Sequence, residues 1–191
     1  MKSIRKAIQK GFTLVELLIV VIILALLAAI VVPQFASSTD DAKLASLDTT
    51  LSNVRSAIDL YYQQHGDYPG AATAVPGACT GTAGTGDASS AAERALAFAS
   101  QMTLYTDGNG GACSIKENAF QFGPYLKKAT LPPNPITNNA AFAVVNAGDL
   151  NMPADGADLG WKYDVLVGKF IANDNTDIDG TGPGTETYAD R

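Results

Sequence analysis

An unbroken run of apolar residues near the start of the chain, from Leu17 to Val32, constrains the fold more than any other stretch. Counted from Phe12, the segment is 21 residues long, which gives about 31 Å of α-helix and matches the hydrocarbon thickness of a bilayer. The only charged residue inside the segment is Glu16. A carboxylate at that depth costs about 2.5–3.5 kcal/mol on insertion scales, so it requires a partner, and an amine is the natural one.

The charges on either side of the apolar run differ in sign. Residues 1–11 carry four basic side chains and no acidic one, which places the N-terminus in the cytoplasm and the rest of the chain outside. The remaining residues hold nine basic against nineteen acidic side chains. This acidic body excludes nucleic-acid binding through bulk charge.

The octapeptide Lys10–Leu17, with sequence KGFTLVEL, resembles the prepilin cleavage and methylation signature of type IV pilins and type II secretion pseudopilins. The resemblance implies cleavage between Gly11 and Phe12 by a prepilin peptidase, N-methylation of Phe12, and polymerisation with other copies on an inner-membrane assembly platform. It also implies that Glu16 neutralises the Phe12 amine of a neighbouring subunit. A secretory signal peptide or an ordinary uncleaved anchor is the competing interpretation.

A second apolar pattern follows Pro33 at 3-4-3-4-3 spacing, which predicts that one helix runs from Phe12 to about Gln63, kinked at Pro33. The stripe consists of Leu44, Leu47, Leu51, Val54, Ile58 and Tyr61. His65, the chain's single histidine, is interpreted as a helix cap, and Gly66 as the residue that ends the helix. We therefore divide the chain into a leader (1–11), a membrane or filament-core helix (12–34), an amphipathic half of the same helix (35–65) and a globular head (66–191).

The head is predicted to hold one short helix and three short strands. Ala88–Met102 reads as the helix, with Ser89 or Ser90 as N-cap. The strands are predicted at Phe142–Asn146, Gly160–Asp164 and Gly168–Ala172, the last two as a hairpin. Packed as an antiparallel sheet on the long helix, they give an α+β fold of the pilin kind. Cys79 and Cys113 are the only cysteines, and an even count outside the cytoplasm favours a disulfide between them.

One acidic stretch matches the spacing of a calcium-binding loop. Asn175, Asp177, Asp179 and Glu186 fit D-x-[DN]-x-[DN]-G-x5-E, except that the first position is Asn. Alternating side-chain oxygens and a closing Glu are the ligands that Ca²⁺ prefers. The alternative is a solvated acidic turn.

No set of residues typical of an active site is found in the sequence, so the chain is predicted not to be an enzyme and to require no cofactor. We expect a structural subunit, first a single-pass inner-membrane protein with a periplasmic head and then part of a periplasmic or cell-surface filament. A surface pilus and a type II secretion pseudopilus both remain open. The alternative from another class is a secreted or anchored protein whose apolar segment is only a signal.

Overall fold

The computed structural model describes residues 12–156 and 159–174, with the backbone alone described for residues 32–38. The chain divides into two compact units, Met1–Ala42 and Lys43–Arg191. The elements in chain order are α1 (Leu14–His65), α2 (Ala91–Thr103), β1 (Tyr105–Thr106), β2 (Ala112–Cys113), β3 (Phe142–Val145), β4 (Trp161–Asp164) and β5 (Lys169–Ala172). The predicted α+β class, with a long N-terminal helix and a small sheet, is confirmed.

The C-terminal part of α1 packs through the predicted apolar stripe. Leu47, Leu51, Val54, Ile58 and Tyr61 are all buried, whereas Leu44 is only partly covered. These side chains share one core cluster with β4, β5 and α2, in which the largest members are Trp161, Tyr163, Phe170 and Phe98. The 3.6-residue period therefore buries one face of the helix on the sheet of its own unit.

Helix α2 begins where its capping residue predicts. Ser90 has an extended backbone, and its hydroxyl accepts a hydrogen bond from the Glu93 amide at 3.2 Å. The predicted helix is therefore confirmed with Ser90 as N-cap. Its buried face places Phe98 against Tyr163 of β4, with 4.9 Å between the ring centroids.

The three-stranded sheet has the order β3-β4-β5, and one of its two pairings differs from the prediction. β4 and β5 pair antiparallel, with Tyr163 opposite Phe170, which confirms the predicted hairpin. β3 and β4 pair parallel, so an all-antiparallel sheet was wrong. Residues 146–160 separate these two strands, and a connection of more than about a dozen residues is long enough to return the chain to the same end of the sheet.

The disulfide between Cys79 and Cys113 is present, with a Cα–Cα distance of 5.8 Å, as predicted. Cys113 lies on β2, which pairs antiparallel with β1. The sequence does not predict this second sheet, because two-residue strands are too short to show alternation. The disulfide therefore joins the loop around residue 79 to a small sheet that follows α2.

Buried polar groups fix the loops around the core. The Tyr163 hydroxyl donates to the Pro69 carbonyl at 3.0 Å. The fully buried Gln101 side chain accepts from the Gly70 amide at 2.7 Å and donates to the Gly110 carbonyl at 3.0 Å. Because each buried polar atom here has a partner, the segment after α1 is held against α2 at little desolvation cost.

Candidate functional site: the N-terminal helix

The first turn of α1 is closed by reciprocal hydrogen bonds between Thr13 and Glu16. The Glu16 carboxylate oxygen Oε2 accepts from the Thr13 amide at 2.9 Å and from the Thr13 hydroxyl at 2.6 Å. The Glu16 amide in turn donates to Thr13 Oγ1 at 3.2 Å. This is a capping box, in which a Thr at the N-cap and a Glu three residues later satisfy each other's backbone donors.

The capping box fixes the orientation of the Glu16 side chain. Both bonds to the carboxylate reach the same oxygen, and within the described chain no hydrogen bond reaches Oε1. That oxygen is therefore available to a donor from another molecule. The pattern Thr13-x-x-Glu16 is the sequence signature of a capping box, so this role of Thr13 could have been predicted from the sequence.

The side chains that follow Glu16 are exposed on every side of the helix. The segment Leu14–Val31 is long and apolar enough to cross a membrane by length and composition, and none of it is buried within the chain. Phe12 is 75% exposed, and Leu14 is 82% exposed. A helix that is apolar all round is found in hydrocarbon or inside a larger protein assembly, so this one needs surroundings that the described chain does not supply.

The other predicted site residues lie apart from this segment or outside the described residues. Gly11 and the four candidate calcium ligands, Asn175, Asp177, Asp179 and Glu186, are outside the described residues. Within residues 12–156 and 159–174, no three His, Cys, Asp or Glu side chains come together as a metal site.

His65 does not act as the helix cap that the sequence suggests. Its Nε2 atom lies 3.0 Å from the Thr106 hydroxyl and 3.1 Å from the Tyr125 hydroxyl, and its ring lies 4.1 Å from that of Tyr61. Burial lowers the pKa of His65, which favours the neutral ring. The residue therefore ties the end of α1 to β1 and to the loop around Tyr125, and this long-range role has no local signal in the sequence.

Comparison with known proteins identifies a family motif near the start of the chain. Residues 6–32 match the prokaryotic N-terminal methylation motif. The chain is 35% identical over 63 residues to a fimbrial protein of Neisseria meningitidis serogroup B, which covers 33% of this chain and 37% of that protein. It is 50% identical over 48 residues, 25% of this chain, to the type IV narrow pilus major component PilA5 of Thermus thermophilus, of which it covers 41%.

A secretion protein is also similar to part of the chain. The type II secretion system core protein G of Pseudomonas aeruginosa is 43% identical over 61 residues, or 32% of this chain and 43% of that protein. The chain thus spans about two fifths of the length of these relatives, and no solved structure matches it significantly. The N-terminal segment carries the prokaryotic N-terminal methylation motif. Over this segment, the predicted resemblance to the type IV pilin and type II secretion pseudopilin family is confirmed.

Proposed function

We propose that this chain is the structural subunit of a type IV pilus or of a type II secretion pseudopilus, and not an enzyme. The observation that carries the proposal is the exposed apolar helix Leu14–Val31, which begins with a single carboxylate, Glu16, and lies within the methylation motif. Lipid surrounds the helix before assembly, and the same helix of other copies replaces lipid afterwards. The similar pilins and the similar secretion protein support a filament role of this kind.

The proposal assigns a function to the N-terminus created by processing. A prepilin peptidase in the inner membrane cleaves the peptide bond between Gly11 and Phe12, and the new Phe12 amine is methylated. Within the described chain, no donor binds Oε1 of Glu16. The Phe12 amine of another copy would supply a cation for it. Because apolar side chains that leave lipid for protein gain little hydrophobic free energy, a polar pair between two copies is well placed to select one packing register.

The test is processing and assembly of a Glu16→Ala variant in cells that contain the assembly system. We expect the variant to insert and to be trimmed to a chain that starts at methylated Phe12, but to yield no sheared filaments. The matched control is Asp41→Asn, which removes an exposed acid from the same helix outside the apolar segment. This control should assemble normally.

Two results would contradict the proposal. Normal filaments from Glu16→Ala would show that the carboxylate does not select the packing register between copies. A wild-type chain that is intact at Met1, or that starts near Ala29, would favour a secreted or anchored protein of another kind. Mass spectrometry identifies the N-terminus, and recovery of sheared filaments measures assembly.

The comparisons support neither type of filament more than the other, because a pilin and a secretion protein are similar to the chain over almost equal shares of its length. The candidate calcium loop, Asn175, Asp177, Asp179 and Glu186, is retained as a proposal for the head. Calcium binding there predicts that Ca²⁺ raises the thermal stability of the full chain, and that Asp179→Asn abolishes the rise. No shift with Ca²⁺ would leave the stretch as a solvated acidic turn.

A further inference from the structure

An open groove of about 430 Å³ lies on the unit that begins at Lys43, between α1 and the segment that contains residues 126–133. Its apolar side is formed by Val54, Leu131, Pro132 and Pro133. Two consecutive lysines, Lys127 and Lys128, also line the groove. Both lysine side chains, Lys127 and Lys128, are exposed. The groove therefore offers an apolar surface beside a doubly charged one.

Four basic side chains elsewhere in this unit donate to backbone carbonyls. Arg55 donates to the Phe170 carbonyl at 2.9 Å, and Arg94 donates to the Gly70 carbonyl at 3.2 Å. Lys162 donates to the Pro153 carbonyl, and Lys169 donates to the Leu150 carbonyl. By contrast, neither Lys127 nor Lys128 has a hydrogen bond or an ion pair with any residue in 12–156 or 159–174. Two neighbouring ammonium groups repel each other, and an anionic partner relieves that repulsion.

The described chain ends beside this groove. After β5, the Asn173 amide donates to the Gly160 carbonyl at 3.0 Å. The Asn134 side chain donates to the same carbonyl at 2.8 Å, and Asn134 directly follows Pro133 of the groove. In addition, the Trp161 indole nitrogen donates to the Pro132 carbonyl at 2.9 Å. One shared carbonyl oxygen therefore connects the point where residue 173 leaves the sheet to the loop that lines the groove.

The residues that follow have the complementary chemistry. Residues 175–191 hold four carboxylates against the single guanidinium of Arg191, and they also contain Ile178 and Tyr188. The four carboxylates belong to Asp177, Asp179, Glu186 and Asp190. At about 3.3 Å per extended residue, Glu186 can lie up to about 40 Å from Asp174, so the segment is long enough to cross a groove of this size.

We propose that residues 175–191 bind in this groove of their own chain, with carboxylates paired to Lys127 and Lys128 and an apolar side chain against Val54 and Leu131. The inference does not depend on filament assembly, since it concerns one chain. A second copy of the protein is the competing occupant, and the test separates the two.

The test is zero-length carbodiimide cross-linking of the full-length protein in detergent, after EDTA has stripped divalent ions from the carboxylates and has itself been removed. Equal amounts of unlabelled and ¹⁵N-labelled chains are mixed, so that mass spectrometry distinguishes links within a chain from links between chains. We expect links within one chain from Lys127 or Lys128 to carboxylates in residues 175–191. Lys116 is the matched control, because it is also exposed and also has no polar partner among the residues described.

The expected excess of links at Lys127 and Lys128 over Lys116 is at least about fivefold, the factor that corresponds to about 1 kcal/mol. A second measurement keeps the proposal open to contradiction if cross-linking is inefficient. Lys127→Glu/Lys128→Glu should speed cleavage after Glu186 by a glutamyl protease by at least about the same factor, whereas Lys116→Glu should not. Mixed-label links at about twice the abundance of each single-label form, which mark links between chains, equal linking at Lys116, or an unchanged cleavage rate in the double variant would overturn the proposal.

Discussion

Removal of the Cys79–Cys113 disulfide gives the sharpest quantitative prediction for the head. The two residues are 34 positions apart, and closing a loop of that length lowers the entropy of the unfolded chain by about 13 cal/mol/K in the chain-entropy model. At 25 °C this corresponds to about 3.8 kcal/mol of stability. Small domains are stable by only about 5–15 kcal/mol, so the loss is a large fraction of the total.

The variant should be Cys79→Ala/Cys113→Ala and not the serine pair. Cys113 is fully buried on β2, and a serine hydroxyl there would add the desolvation cost of an unpaired polar group. Alanine instead removes one buried sulfur and leaves a small void, which adds a cost of its own. We therefore expect a total loss of about 4 kcal/mol in the variant, and slightly less when the wild-type protein is reduced without mutation.

Trp161 provides the assay. It is the only tryptophan of the chain, it is fully buried, and it stacks on Phe170 with 5.3 Å between the ring centroids. Its fluorescence in urea therefore reports unfolding of the core, and the shift of the midpoint multiplied by the slope gives the change in free energy. Dithiothreitol should shift the wild-type curve and leave that of the double variant unchanged. A loss below about 1 kcal/mol would refute the argument, because it would mean that the loop barely constrains the unfolded chain.

The same assay checks two further predictions. Gly86→Ala should cost about 2–5 kcal/mol, because Gly86 has φ +93° and an added Cβ would overlap the Ala97 amide nitrogen and the Glu93 carbonyl oxygen of α2. The matched variant Gly66→Ala, at φ +78° with nothing within 4 Å of the added Cβ, should lose only about 1–2 kcal/mol, and equal losses would contradict the role of the contact. For His65, burial lowers the pKa of the folded state, so its contribution is complete above the unfolded pKa of about 6.5 and is lost as pH falls below that value. The urea midpoint should fall more between about pH 7.5 and about pH 5.5 in the wild type than in His65→Gln, and parallel falls would exclude this role.

The features that the sequence predicts well are those whose signal lies within a few neighbouring residues. The stripe from Leu47 to Tyr61 repeats with the period of a helix, and Ser90 is followed by an acidic first turn, so both were placed to within a few residues. The parallel pairing of β3 with β4 depends on how residues 146–160 return the chain, and no local pattern reports that path. The contact of His65 with Thr106, 41 residues away, has the same origin.

The two parts of α1 obtain their burial from different sources. From Leu47 to Tyr61 the apolar side chains occupy one face, so one layer of the same unit covers them. From Leu14 to Val31 the side chains are apolar around the whole helix, and no single layer of protein can cover all sides. Many copies of the helix packed together can cover all sides. However, exchange of lipid for equally apolar protein neighbours does not select one packing register. In the proposed filament, Glu16 selects the packing register. If it binds the Phe12 amine of an adjacent copy, the separation of four positions between Phe12 and Glu16 sets neighbouring parallel helices about 6 Å out of register along their axes, before the reach of the side chain is added. Helices packed in register would leave each carboxylate closest to its own N-terminus, and they would give no directional reason for a second copy to join.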